Sequence, residues 1–119
     1  MTDIPRIEEI LKEIESLEGV NEAILVSRSG MYIAGKLPSN VHQETYASMF
    51  AVLLGAADTA TSELEESLSS VVINMESSKM VVITNGPKAI YVLRVAQGVK
   101  IGHLRDTLRH YTDRLQESL

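Results

Sequence analysis

The sequence predicts an α+β fold of 119 residues: a five-stranded antiparallel sheet with helices on both faces, in the order α-β-β-α-β-β-β-α. Three observations predict it. Amphipathic stretches, with apolar residues three and four apart, open and close the chain. Five short β-branched and apolar runs lie between them, and the turns that join them within each group are too short for parallel pairing. A long middle stretch, from about Val41 to Glu65, separates the strands into a group of two and a group of three. Sheet and helices together read as one domain, residues 1–119, with no internal repeat, linker or low-complexity segment.

Each element can be justified in turn. From Asp3 to Leu17, Ile4, Ile7, Leu11 and Ile14 form an apolar stripe that Ile10 and Leu17 widen, and Pro5 falls in the first turn, where a missing N–H is harmless. "NEAILVSRSGMYIAG" (21–35) reads as strand, tight turn and strand, with Gly30 at a position suited to positive φ. Ile24, Leu25 and Val26 are too apolar in succession for a strand with one wet face, which predicts cover on both sides. Ser39 or Asn40 is expected to cap the long helix. "SVVINME" (70–76), "KMVVITNG" (79–86) and "KAIYVLRVA" (88–96) follow as three strands, and Ile101, Leu104, Leu108, Tyr111 and Leu115 mark a closing amphipathic helix over 100–119.

The long helix is unusual because Thr45 to Ala57 carries no charge. Its periodicity places Tyr46, Met49, Phe50, Leu53, Ala57, Ala60 and Leu64 in one stripe, with Ala47, Ala51 and Gly55 on the far side beside Ser48, Val52 and Thr59. A mid-helix glycine costs about 1 kcal/mol relative to alanine. Close approach of another backbone is the expected compensation. A helix with two dry faces needs two neighbours, and with every segment assigned little of the chain is left to supply the second.

Composition narrows the function. With 45% hydrophobic and 23% charged residues the chain is of ordinary globular composition. It has no cysteine, which removes disulfide and thiolate chemistry and fits a reducing compartment. An acidic amphipathic N-terminus is unlike a targeting peptide, and no apolar run approaches the roughly 18 residues a membrane span needs. A cytoplasmic protein without direct membrane insertion is expected. A net charge of −5 argues against nucleic acid as a partner. Charge is also unevenly spread: residues 1–22 hold seven acids and two bases, residues 37–78 six acids and no Lys or Arg, and residues 79–119 seven bases and three acids.

Little in the sequence points to catalysis. There is no GxxxxGK[ST], GxGxxG or GxSxG pattern. His103 and His110 are seven residues apart on one helix, about 10 Å by helix rise, too far to share a metal; with His42 they read as solvated histidines. Glu65 and Glu66 read as a solvated helix end rather than a catalytic pair. No cofactor or metal site and no enzymatic activity are expected. Lys100, Arg105, Arg109 and Arg114 form a basic stripe with three readings: a solvated face with an Arg109–Asp113 pair, a complement to the acidic first helix packed beside it, or an anion or membrane surface. Met31, Met49, Met75 and Met80 are expected to fill core space.

"EGVNEAILVSRSGMYIA" (18–34), the small-residue-rich helix from Val41 and "GVKIGHLRDTLRHYTDRL" (98–115) together resemble the roadblock family of dynein light chains and their prokaryotic relatives. That family is distantly similar to longin and profilin folds. One departure is Ser29, where the family often has an acidic residue before the hairpin glycine. The resemblance implies pairing through the long helix and the strand after it, so that two sheets become one of ten strands. Ala47, Ser48, Ala51, Val52, Gly55, Thr59, Val71, Ile73 and Met75 would then line a homodimer interface. It further implies a non-enzymatic scaffold or regulator for a small Ras-like GTPase, with Gln43, Glu44 and Asp58 as a first guess for the partner surface. A structural adaptor linking larger assemblies, as dynein light chains do, and a small-molecule sensor are the alternatives.

Overall fold

A computed structural model describes residues 2–119. The elements follow the expected order: α1 (Ile4–Glu15), β1 (Val20–Ser27), β2 (Tyr32–Gly35), α2 (Gln43–Thr61), β3 (Ser70–Asn74), β4 (Ser78–Asn85), β5 (Ala89–Ala96) and α3 (Ile101–Ser118), with a 3-10 turn at Ser62–Leu64 after α2. The strands form one sheet in the spatial order β2-β1-β5-β4-β3. All four pairings are antiparallel. The two hairpin groups are joined in the middle by β1 and β5, where Ile24 faces Val92 and Leu25 faces Tyr91. That leaves β2 and β3 as the two edges.

Local chemistry explains the boundaries. Asp3 caps α1, its Oδ1 accepting the Arg6 N–H at 3.2 Å, and Pro5 lies in the first turn. Gly30 turns the first hairpin at φ +98°, and a Cβ there would also come within 3.1 Å of the Ser48 backbone. Neither Ser39 nor Asn40 caps α2. The helix begins later than the sequence suggests, at Gln43, so His42 takes the position and its Nδ1 accepts the Thr45 N–H at 3.4 Å. Asn40 instead turns the preceding loop with φ +65°.

The two sheet faces are covered differently. α1 and α3 lie side by side on one face and close a large apolar cluster that includes Ile7, Ile10, Leu25, Tyr91, Leu93 and Leu108. α2 alone covers the other face, over a smaller cluster containing Ile24, Val26, Ala47, Leu54, Val82 and Val92. Strand β1 is buried on both sides through Ala23–Val26, as its unbroken apolar run requires. Near one end of the sheet, Glu22 and Arg94 face each other across β1 and β5. The arginine makes a two-pronged bond to the carboxylate, with Nε at 2.6 Å from Oε1.

Candidate protein-interaction site

The orientation of α2 decides which of its residues another molecule can reach. Ala47 is fully buried and Leu54 nearly so, and Tyr46, Phe50, Ala51 and Leu53 pack at the margins of the same cluster. Tyr46 and Phe50 meet edge to face, with ring centroids 4.9 Å apart. Met49 and Val52 point outward instead, 55% and 61% exposed, together with Gly55, Ala56, Thr59 and Ala60. Relative to the stripe expected from periodicity, the helix is turned by about a quarter of a turn.

This corrects two expectations. Ala47 cannot face a second chain, because it is sealed against the sheet, and Ala51 is half-buried on the same side. At Ala51 and Ser48 small size serves a close approach within the chain: the Cβ position of Gly30 lies 3.1 Å from Ser48 Cα and 3.6 Å from Ala51 Cβ. The second correction concerns the methionines. Met80 is a core residue, whereas Met31, Met49 and Met75 are exposed.

What remains outside is a continuous uncharged surface. Val52, Gly55 and Thr59 are exposed, as expected of the free face, and Ser48 is half-buried at its border. Apart from the neighbouring backbone of α2 itself, none of the described residues comes within 4 Å of a Cβ built on Gly55. Beside this face runs β3, hydrogen-bonded to β4 on one side only. Val71 and Ile73 project toward the α2 layer and are half-buried, and Met75 is exposed just past the strand. The backbone groups on the other edge of β3 have no strand partner among the described residues.

The polar residues at the ends of α2 fall into two places. Gln43 and Glu44 border a shallow cleft of about 530 Å³ between the start of α2 and the first hairpin, with Met31 and Tyr32 on its far wall. Asp58 is exposed fifteen residues further on, about 22 Å away by helix rise. A single copy of the chain therefore does not bring Asp58 together with Gln43 and Glu44.

The remaining titratable groups sort themselves by position. His103 and His110 are exposed on α3, and among the described residues no three His, Asp or Glu side chains are grouped as a metal ion would need. Glu65 and Glu66 are exposed. Of the basic stripe, only Arg114 reaches α1, bonding Glu13 at 2.7 Å and lying 5.7 Å from the Tyr111 ring centroid. Arg109 pairs with Asp106 at 3.4 Å rather than with Asp113. Among the described residues no helix is long and apolar enough to cross a membrane.

α2 thus presents an uncharged outer face beside an open sheet edge. Residues 6–94 match the sequence model of the Roadblock/LC7 domain. The chain belongs to the Roadblock/LC7 family. The matched part of this roadblock chain runs from Arg6 in α1 to Arg94 in β5, so α3 lies outside it. Among curated relatives, the uncharacterized protein MJ0714 of Methanocaldococcus jannaschii is 31% identical over 111 residues, spanning 92% of this chain and 93% of the relative. Among solved structures, Myxococcus xanthus MglB superposes with a TM-score of 0.84 at 14% identity, covering 98% of this chain and 90% of that one. The gliding protein MglB of Thermus thermophilus gives a TM-score of 0.80 at 22% identity, covering 97% and 89% respectively. At such identities the likeness establishes the shared roadblock fold.

Proposed function

We propose that this chain is a non-enzymatic scaffold that pairs with a second copy of itself and regulates a small Ras-like GTPase in the cytoplasm. The observation that carries the pairing is the outer face of α2, where Met49, Val52, Gly55, Ala56 and Thr59 lie exposed and uncharged beside the free edge of β3. Two copies related by a two-fold axis would cover both features at once, joining β3 to its counterpart and burying α2 against its counterpart. Gly55 fits this reading because, among the described residues, no other element comes within 4 Å of a Cβ built there, which leaves room for a close approach from outside. The GTPase part rests on the family: prokaryotic roadblock proteins are regulators or adaptors, and the MglB fold is shared along nearly the whole chain. Gln43 and Glu44 from each copy, with Asp58 at the opposite helix end, offer the polar rim for that partner.

Sedimentation equilibrium tests the pairing. The wild-type chain should show a mass near twice 13.1 kDa at low micromolar concentration. Val52→Arg should convert it to a folded monomer, because the side chain already faces outward and no packing within the chain opposes the change. A wild-type monomer, or a Val52→Arg dimer, would remove the interface. The regulatory part predicts a bound Ras-like GTPase preferentially in one nucleotide state, since a regulator must discriminate between the two. Equal affinity for both states would leave only an adaptor.

A further inference from the structure

The basic stripe of α3 is only partly accounted for by its neighbours. Arg114 has Glu13 and Arg109 has Asp106, but Arg105 makes no ion pair. The residue is half-buried and donates from one terminal nitrogen to Ser69 Oγ at 3.1 Å, while among the described residues its shielded Nε finds no acceptor. A guanidinium is always charged, and a buried N–H left without an acceptor is costly. The chain carries 16 acids against 11 Lys and Arg, yet among the described residues no carboxylate pairs with Arg105.

Arg105 sits on the wall of a cleft of about 420 Å³ between α3 and the β3–β4 side of the sheet. The volume falls within the range of small-molecule sites. Ile83, Leu108 and Tyr91 lie at its base, almost wholly buried, with Arg109 beside Arg105 at the rim. Arg109 is held only by an exposed i,i+3 pair, which a ligand can readily displace. Asp113 lines the same cleft, eight residues along α3 and about 12 Å from Arg105 by helix rise. The cleft is therefore polarised: cationic at one end, apolar below, acidic at the other.

We propose that this cleft binds a small organic oxyanion, a carboxylate or phosphate carried on an apolar or aromatic body, with Arg105 as its principal ligand. A small rotation of the arginine chain would present Nε and a terminal nitrogen together, the planar fork that matches two oxygens of such a group. Once its oxygen no longer receives the arginine, Ser69 can donate its hydroxyl to a third. The apolar body would rest on Ile83 and Leu108, and Asp113 would disfavour a second negative charge at the far end. The site lies on the α1/α3 face, with Ser69 immediately before β3 on its wall.

The test is titration of the full chain with benzoate and with phenyl phosphate, followed by heteronuclear NMR, with inorganic phosphate as the bodiless control. At least one aromatic probe should saturate, shifting the amides of Ser69, Arg105 and Arg109, and should bind more tightly than inorganic phosphate. Which probe wins identifies the headgroup. Arg105→Gln should weaken that probe about tenfold or more, the worth of a charged hydrogen bond. Arg105→Lys, which keeps the charge and loses the fork, should fall in between. Circular dichroism checks that both variants fold. Failure of both aromatic probes to saturate would overturn the proposal, as would Arg105→Gln binding equal to wild type. So would a change in oligomer mass in Arg105→Gln without any probe binding, because the missing counter-ion would then belong to another copy of the chain.

Discussion

The two faces of the sheet solve the same problem to different degrees. On one, α1 and α3 lie together and leave Ile7, Ile10, Leu93 and Leu115 with no exposed surface. On the other, α2 is alone, and the helix itself is apolar on the side that faces away from the sheet. The first face spends its charges outward: Glu8, Glu9, Lys12 and Glu13 line the exposed side of α1. The second has none to spend between Thr45 and Ala57. A layer that is finished within the chain carries a charged exterior, and a layer without one is where a partner is to be sought.

The sharpest way to break this contrast is to cut a large side chain on each face. Leu93→Ala, in the sealed layer, should lower the unfolding free energy by about 3 kcal/mol, read from urea melts at any protein concentration. Met49→Ala should cost less than about 0.5 kcal/mol at high dilution and more as concentration rises, because in the proposed pairing a second copy would cover its exposed side chain. Equal, concentration-independent losses would mean that the two faces do not differ.

A second comparison uses a tyrosine from each layer. Burial pushes the Tyr91 phenol up to about 12 from 10.0, although its hydroxyl is bonded to Thr112 at 3.1 Å. Burial also raises Tyr46, under the edge of α2. Since the folded-state value is raised, the stabilising contribution is complete below pH 10 and disappears as pH rises toward 12. For Tyr91 that amounts to about 2–3 kcal/mol. Tyr91→Phe should flatten the alkaline limb of a stability–pH curve across that window, and Tyr46→Phe should flatten it less. A Tyr91→Phe curve as steep as wild type would show that the phenol is not the group being titrated.

How much of this was legible depends on the kind of signal. The sheet, its hairpins and the outer helices follow from periodicity, because Ile7, Ile10, Leu11 and Ile14 are apolar where Glu8, Glu9 and Glu13 are not. The rotation of α2 could not be read that way. Its apolar residues surround the helix, so spacing alone does not say which side meets the sheet. A better clue was size: Gly30 on the hairpin and Ser48 and Ala51 on the helix are small where two backbones come close. The exposed methionines are hidden from the sequence for a related reason, since an apolar side chain on the surface and one in a core look alike there. The Arg105 cleft was visible only as a stripe of bases. Its floor comes from β4 and β5, which are brought beneath α3 by the sheet order.

The charge asymmetry along the chain supplies the smallest and most local prediction. Acidic α1 and basic α3 are neighbours, yet their attraction is concentrated in one contact, Arg114 to Glu13. The hydrogen bond from Arg114 holds the Glu13 carboxyl below its ordinary value, and both groups remain open to water. A lowered folded-state value means that the stabilisation is present above the unfolded carboxyl's pKa and is lost as pH falls through the folded one. Wild type should therefore lose more thermal stability than Glu13→Gln on going from neutral to strongly acidic pH, with the two melting curves converging at the acid end. The difference should be small and should shrink further in high salt, as expected of a solvent-exposed pair. If Glu13→Gln instead destabilised the chain equally at both pH values, packing of the Glu13 stem against Arg114 and Tyr111, and not its charge, would be what joins the two helices.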